Sequence, residues 1–256
     1  MNIELIGCNY SYRYYSIDAF CSLQKALSRK KVMLYAVAPQ IWIDDKTASA
    51  PQDITNCFYQ HGLLIDSVDL PSYGYRLGYT EQHLHDISMN YYKNAIDYCA
   101  LIQVKKLLIS IDPVFLGDIE LHNSVYKEFL YNLDGYAKNK GVKLIAKCSD
   151  HTFHDIMPLL ISSSNSRIPY AYDAISRTPS LSKVFAIHGT PDIVLLHEPA
   201  QTIERNIEEL NQLEFTGSVV VYQIQKNQAY CSCLPENSAS FQSELLIQNH
   251  LSTEKE

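Results

Sequence analysis

Short runs of aliphatic and β-branched residues alternate along the chain with longer segments whose apolar positions recur at helical spacing. In the first pair, a strand-like run at residues 3–8 (IELIGC) precedes a segment in which Ile17, Phe20 and Leu23 fall on one helical face. Ser16 stands just before that face and is a typical N-cap residue. Seven further strand-like runs follow at residues 31–37, 63–70, 105–111, 142–147, 167–173, 192–197 and 217–224.

Each of these runs is followed by a segment with the pattern of a helix. Thr80 is placed to cap the longest of them, and Gly141 follows another as a typical C-terminal stop. Eight strand-then-helix units predict an α/β fold, a parallel (β/α)8 TIM barrel that forms a single domain over residues 1–256. A doubly wound open sheet would leave the count of eight unexplained, and no glycine-rich phosphate loop follows any strand. The helical segments span residues 16–29, 52–62, 80–103, 122–141, 151–163, 180–189, 202–213 and 239–251.

The charge and the cysteine content limit the partners of the protein. A formal net charge of -7 argues against a nucleic-acid partner, because binding a phosphate backbone requires clustered Lys and Arg. The nearest approach to a basic patch, Arg29 to Lys31, is interpreted as a solvated connection between a helix and a strand. The N-terminal segment has no secretory pattern, and the longest apolar run, residues 32–43, is too short to span a membrane. Seven cysteines, an odd number, favour a reducing cytoplasm over a disulfide framework.

The polar side chains at the carboxyl ends of the predicted strands are the candidate functional residues, since chemistry in such barrels gathers there. Hydroxylated aromatic rings, amides and a few charges at these ends suit a polyhydroxylated ligand, which needs apolar faces for stacking and partners for its hydroxyl groups. The residues at or after the strand ends are Cys8, Asn9, Tyr10, Gln40, Trp42, Asp69, Tyr73, Tyr75, Arg76, Tyr79, Ser110, Asp112, Lys147, Cys148, Tyr172, Asp173, Ser176, Arg177, His197, Glu198, Tyr222, Gln223 and Gln225.

Two stretches carry a resemblance to a known family. Residues 61–110 (HGLLIDSVDLPSYGYRLGYTEQHLHDISMNYYKNAIDYCALIQVKKLLIS) and 131–147 (YNLDGYAKNKGVKLIAK) resemble the xylose-isomerase-like barrels. The resemblance is to their sugar and sugar-phosphate isomerase/epimerase branch, which includes ketose 3-epimerases and fructoselysine 3-epimerase-like proteins. Endonuclease IV belongs to the same superfamily, but the acidic charge disfavours that branch. The resemblance implies a small-molecule sugar or sugar phosphate as the partner.

The resemblance also implies a divalent-metal site that this sequence does not reproduce. Family members hold the cation with Glu, Asp, His and Glu at the ends of strands five to eight, and the two glutamates move protons at the sugar carbon. The matching positions here are Lys147, Asp173, His197 and either Tyr222 or Gln223. Two vestigial ligands would bind Mg²⁺ or Mn²⁺ weakly at most, and a lysine ammonium would repel the cation. We expect no cofactor, and we expect Lys147 to pair with Asp173 in place of the metal.

Three functions remain open on this basis. The first is an isomerase or epimerase with a rearranged site, in which Asp112, Glu198 or His197 is the base and Lys147 stabilises the oxyanion. The second is a sugar-binding or regulatory protein that has lost the reaction. The third is a lyase in which Lys147 forms a Schiff base with a carbonyl substrate. Candidate catalytic residues are Lys147, His197 and Asp173, and candidate substrate-binding residues are Tyr222, Gln223, Asp112, Arg177, Tyr75, Tyr79 and Gln40.

Three further features of the sequence have less influence on the predicted function. The cluster Cys148, Asp150, His151 and His154 looks like a metal site, but it follows the fifth strand, and the two histidines open the next helix. We therefore do not predict a metal there. A phosphate group on the substrate is compatible with Arg76 and Arg177 near strand ends, and the sequence leaves a homo-oligomer open.

Overall fold

A computed structural model describes residues 3–72, 74–111, 119–149, 156–160, 167–174, 180–197, 200–222 and 244–248. Within these ranges eight parallel strands close into a barrel in their sequence order. This closure confirms the predicted (β/α)8 architecture and excludes the open doubly wound sheet. The strands are β1 (Leu5–Cys8), β2 (Lys31–Tyr35), β3 (Leu64–Leu70), β4 (Lys106–Ser110), β5 (Lys143–Cys148), β6 (Tyr170–Ala174), β7 (Ile193–Leu196) and β8 (Ser218–Val221).

Helices surround the barrel. Ser16 caps the first of them as predicted, because its Oγ accepts a hydrogen bond of 3.1 Å from the backbone N–H of Ala19. The predicted cap at Thr80 is wrong, since the third helix begins at Gln82 with Glu81 as the N-cap and no side-chain hydrogen bond. The helices are α1 (Ile17–Ala26), α2 (Pro51–Gln60), α3 (Gln82–Leu101), α4 (Ile119–Asn139), α5 (Leu181–His188) and α6 (Ala200–Gln212).

Two of the predicted helices are described only in part. Of the segment predicted at 151–163, the described residues contain one helical residue, Ile156, followed by the 3-10 turn Met157–Leu159. Residues 244–248 are helical and belong to the predicted closing helix. No helix in the part of the chain that the structure describes is long and apolar enough to cross a membrane.

The hydrophobic side chains form two separate layers. The larger layer lies between the helices and the outside of the barrel, and the smaller one fills the barrel itself. Side chains alternate between the two because successive residues of a strand point to opposite faces. The members of the inner layer are Ile6, Cys8, Met33, Leu108, Ile145, Ala171, Ile193, Leu195, Val220 and Tyr222.

Helix α1 packs very close to strand β1. A Cβ atom built on Gly7 would lie 1.8 Å from Oε1 of Gln24, which is fully buried, so this position has no room for a side chain. At the end of this helix, Arg29 contradicts the interpretation of a solvated basic connection. It is buried, donates a hydrogen bond of 3.2 Å to the carbonyl of Leu5, and lies 3.8 Å from Glu244. The physical reason is that a buried guanidinium needs acceptors, and the barrel wall and the C-terminal helical segment supply them.

Candidate functional site

Three neighbouring strands bring ionisable side chains to one end of the barrel. Ile145 lies in the inner layer, so Lys147, two residues further along β5, points to the same lumen. By the same alternation, Asp173 lies two residues after Ala171 on β6, and His197 lies two residues after Leu195 of β7, so both also point to the lumen. These side chains therefore meet at the C-terminal mouth, where the sequence placed the candidate site.

A buried ion pair lies at the centre of this mouth. The Lys147 ammonium nitrogen is 3.1 Å and 3.0 Å from the two carboxylate oxygens of Asp69. The Tyr222 hydroxyl donates a hydrogen bond of 2.8 Å to the same carboxylate. The Asp69 side chain is 0% exposed and that of Lys147 is 17% exposed, so this carboxylate depends on the protein for its partners.

The identity of the lysine's partner corrects the sequence-based expectation. We expected Lys147 to pair with Asp173, but its hydrogen bonds go to Asp69 on β3, and Asp173 acts on it only through its charge. Burial by itself would lower the pKa of Lys147, but the nearby carboxylates of Asp69 and Asp173 outweigh that effect and raise it. The amine therefore stays protonated at neutral pH.

Asp173 instead forms a hydrogen-bonded pair with His197. The carboxylate oxygen Oδ1 contacts ring nitrogen Nε2 of the imidazole, which is 6% exposed. The imidazole ring also packs on Tyr222, with ring centroids 5.1 Å apart. A carboxylate on one ring nitrogen fixes the orientation of the imidazole and leaves the other nitrogen for further chemistry.

Three tyrosine rings form a wall beside these charges. Tyr10 stacks on Tyr222 with ring centroids 4.9 Å apart, and Tyr35 meets Tyr10 edge-on at 4.7 Å. Burial, together with the charge of Asp69, raises the pKa of Tyr222 well above its usual value, so its hydroxyl remains a donor. Sequence reasoning missed Tyr35. Its position two residues after Met33 on β2 was the signal that could have placed it in the lumen.

Gln40 lies close to this wall but is bound to the loops. Its Nε2 donates to the backbone carbonyls of Tyr12 (2.9 Å) and Tyr15 (2.7 Å), and its Oε1 accepts a 2.7 Å hydrogen bond from Asn9. Asn9 in turn binds the backbone of Tyr35 through both its amide nitrogen and its oxygen. Gln40 therefore holds the loops after β1 and β2 together, and a contact with substrate stays a prediction.

Tyr75 and Tyr79 are held within the loop after β3. Tyr75 stacks on Tyr91 with ring centroids 4.1 Å apart and donates a hydrogen bond of 3.1 Å to Asp45. Tyr79 donates to the carbonyl of Gly74 at 2.9 Å. These contacts explain how the loop is fixed, and the substrate-binding role of both rings stays a prediction.

Other predicted site residues lie outside the described residues. These are Asp112, Arg177, Gln223 and Glu198, together with Tyr73 and the cluster at residues 150–155. Their proposed roles stay predictions. Cys148, the member of the Cys, Asp and His cluster that the structure describes, is buried in β5, and burial raises its pKa to about 12.

The described donors at the mouth fit a Mg²⁺ or Mn²⁺ ion poorly. Such ions take about six mostly oxygen ligands, and two carboxylates at least are usual. Here the Asp69 carboxylate already accepts hydrogen bonds from the Lys147 ammonium and the Tyr222 hydroxyl, and the Asp173 carboxylate is hydrogen-bonded to the His197 imidazole. Among the described residues, no three His, Cys, Asp or Glu ligand atoms converge at this mouth.

The opposite mouth of the barrel contains a cavity of about 620 Å³. It is lined by charged side chains, but these neutralise one another. Lys31 lies 2.7 Å from Glu4, and Lys106 lies 3.0 Å from Asp66. Since the N-terminal face of such barrels serves stability, we assign the candidate site to the C-terminal mouth.

Comparisons with known proteins place this arrangement in a structural context. No family model matches the sequence, and no curated protein matches it significantly. Solved structures do match over nearly the whole chain. A putative xylose isomerase from Rhodospirillum rubrum is 12% identical, with 98% of this chain and 99% of that chain covered and a TM-score of 0.74.

Two epimerases match in the same way. The 3-keto-D-glucoside 4-epimerase of E. coli is 11% identical over 97% of this chain and 100% of its own, with a TM-score of 0.72. The D-psicose 3-epimerase of Clostridium cellulolyticum, solved with D-tagatose, is 12% identical over 97% of this chain and 98% of its own, with a TM-score of 0.70. The chain thus has the (β/α)8 fold of the sugar isomerases and epimerases that its sequence resembles.

Proposed function

We propose that the protein binds a ketose or a ketose phosphate at the C-terminal mouth and moves a proton at a carbon next to the carbonyl without a divalent metal. The observation that carries this proposal is the Lys147 ammonium, which lies between two carboxylates at a position where the family holds a metal ligand. A protonated lysine supplies there the positive charge that the cation supplies in the family.

Lys147 is the group we propose for the carbonyl oxygen. Its ammonium makes two hydrogen bonds to Asp69, and among the described residues this leaves the third N–H for a ligand in the lumen. When a base removes a proton from the adjacent carbon, the C–H electrons form a carbon–carbon double bond, and the carbonyl π electrons move onto its oxygen, which becomes an enediolate oxyanion. A fixed ammonium stabilises that charge, and such donors are typically worth about 10²- to 10³-fold in rate.

His197 is the base we propose. If its Nε2–H donates to Asp173, its other ring nitrogen Nδ1 holds a lone pair that can accept the proton from carbon. In an isomerase, the imidazolium then returns the proton to the former carbonyl carbon, and the hydroxyl proton of the adjacent carbon moves to the oxyanion. In an epimerase, the proton returns to the same carbon from the opposite face, which with a single base requires the enediolate to turn over in the site. Tyr35 adds an aromatic ring at this mouth against which the sugar can pack.

The same geometry argues against the Schiff-base lyase. Forming an imine requires a neutral amine, whereas the pKa of Lys147 is raised by its carboxylate neighbours. The second candidate that an observation favours is a sugar-binding protein without chemistry. Asp69, Lys147 and Tyr222 satisfy one another, which is the arrangement of a structural network as well as of a preorganised site.

Proton exchange separates these functions. Purified protein is incubated in D2O with a panel of ketoses and their phosphates, and deuterium at carbons next to the carbonyl is followed by NMR. The proposal expects exchange with at least one sugar, and a loss of about 10²- to 10⁴-fold in His197→Gln. The matched control is His83→Gln, because His83 is exposed on α3.

Each alternative predicts a different result. If a sugar raises the melting temperature but no deuterium exchange occurs, the protein is a sugar-binding protein and not an isomerase or epimerase. A mass increase at Lys147 after borohydride treatment with substrate would instead establish the lyase. Undiminished exchange in His197→Gln would remove His197 as the base.

A further inference from the structure

Outside the barrel mouth, helices α1 and α2 bring a second group of reactive side chains together. Asp18, Cys57 and His61 each offer one ligand atom, and these atoms all lie within 4.8 Å of one another. His61 Nε2 is 2.8 Å from Asp18 Oδ1. A fourth side chain, Cys21, lies beside Cys57, with its Sγ 4.0 Å from that of Cys57. Cys21 is not one of the three residues whose ligand atoms all lie within 4.8 Å of one another, so a site shared by all four requires its Sγ to move closer to Asp18 and His61.

The spacing of these residues explains why they meet. Asp18 and Cys21 are three residues apart on α1, so they share one face of that helix. Cys57 and His61 are four residues apart, on α2 and at its C-cap, and share a face in the same way. The two helices pack against each other, which joins the two pairs into one cluster.

The sulfur separation distinguishes two interpretations of the cysteine pair. A disulfide requires sulfurs about 2.05 Å apart. Two thiolates on one tetrahedral Zn²⁺, each about 2.3 Å from the metal, lie about 3.8 Å apart. The observed 4.0 Å is the length of a hydrogen bond from the Cys57 thiol to Cys21 Sγ; it excludes a disulfide and is close to the separation of two thiolates on one zinc ion.

The exposure of these four side chains also suits a site that exchanges metal ions with solvent. Cys21 is fully buried, Cys57 is partly exposed, and the side chains of His61 and Asp18 are 18% and 70% exposed. A metal ion can therefore reach the open side of the cluster through Asp18 and His61 and be held on its closed side by the thiolates.

We propose that Asp18, Cys21, Cys57 and His61 form a tetrahedral Zn²⁺ site that ties α1 to α2. Two thiolates, an imidazole and a carboxylate are the ligand types that zinc takes in proteins, and they are unsuited to Mg²⁺ or Mn²⁺. Binding requires the His61–Asp18 hydrogen bond to open by roughly 0.6 Å, to the separation of two ligands on one ion. The site lies in the outer helical layer and is independent of the function proposed for the barrel mouth.

Cobalt provides a direct test, because tetrahedral Co²⁺ absorbs strongly in the visible range and adds a thiolate charge-transfer band in the near ultraviolet. The full-length protein is reduced, stripped with a chelator and titrated anaerobically. One equivalent of Co²⁺ should produce both features, and one equivalent of Zn²⁺ should abolish them. Wild-type protein without these bands would overturn the proposal.

Variants identify the ligands. Cys57→Ser and His61→Ala should each weaken Zn²⁺ binding by at least about 100-fold, since even outer-shell partners are worth about 10- to 100-fold. Cys21→Ser should lose about half of the charge-transfer intensity because one of the two thiolates is gone. An unchanged spectrum in Cys21→Ser would remove Cys21 as a ligand. Asp18→Asn is an exposed change that keeps the fold, and it should weaken binding as well.

Two controls exclude other thiols. Cys99→Ala removes a buried cysteine of α3 and should leave the Co²⁺ spectrum unchanged. The double variant Cys231→Ser, Cys233→Ser removes the only closely spaced cysteine pair in the sequence and should also leave the Co²⁺ spectrum unchanged. Loss of the bands in this double variant would show that the metal binds at Cys231 and Cys233 and not between α1 and α2. A disulfide between Cys21 and Cys57 in untreated protein would show that the two cysteines form a redox pair and not a metal site.

Discussion

The replacement Lys147→Met tests the ion pair at the barrel mouth. Methionine keeps the approximate length of the side chain but removes the ammonium, so among the described residues the fully buried carboxylate of Asp69 keeps only the Tyr222 hydroxyl as a partner. At the observed 3.0 Å, the attraction between the two charges is about 5–6 kcal/mol for an effective dielectric constant of about 20. Removing one partner of a buried ion pair typically lowers the free energy of unfolding by about 3–5 kcal/mol. We therefore expect the free energy of unfolding to fall by about 3–5 kcal/mol.

A second lysine of the same strand is the matched control. Lys143 stands four residues before Lys147 on β5 and pairs with Asp192, but its side chain is 51% exposed. Because water replaces the lost partner there, Lys143→Met should cost at most about 1 kcal/mol. Urea unfolding followed by circular dichroism measures both variants under the same conditions.

A double-mutant cycle separates the pair from other effects of the substitution. Asp69→Asn and the double variant complete the cycle, and we expect the double variant to be more stable than the sum of the two single changes predicts, by about 2–3 kcal/mol. Additive costs, or a cost of Lys147→Met below that of Lys143→Met, would refute the reasoning that the buried pair holds the mouth together.

Other expectations concern the strand β1, the first helix cap and the metal position. Gly7→Ala should destabilise the protein by about 1–3 kcal/mol in urea unfolding, because its Cβ would collide with Gln24, whereas Gly135→Ala in α4, where nothing lies within 4 Å, should stabilise it by about 0.5–1 kcal/mol. An equal effect of the two substitutions would contradict the close packing of α1. Ser16→Ala should cost about 0.5–2 kcal/mol through loss of the N-cap hydrogen bond, and Ser16→Thr should restore most of it. Lys147→Glu should bind Mn²⁺ at least tenfold more tightly than wild type by calorimetry, since a carboxylate replaces the ammonium, and equal affinities would show that this position does not correspond to a metal ligand.

The sequence by itself determined the architecture of this protein. Strand-like and helical periods alternate eight times, and hydrophobic burial forces such units into a closed parallel barrel, as the structure shows. The carboxyl ends of the predicted strands also indicated which residues meet, and the structure brings Lys147, Asp173, His197 and Tyr222 to one mouth. Their catalytic and binding roles stay predictions.

Only the tertiary structure decided which groups touch. The sequence analysis predicted Asp173 as the partner of Lys147, and the pairing with Asp69 instead depends on how β3, β5 and β6 pack around the lumen, which no local pattern records. The burial of Arg29 against Glu244 has the same origin, since the two are far apart in sequence. The four candidate zinc ligands belong to two separate helices, and only the packing of α1 on α2 brings them together. Periodicity fixes the face on which a side chain lies, whereas long-range contacts depend on how whole elements pack.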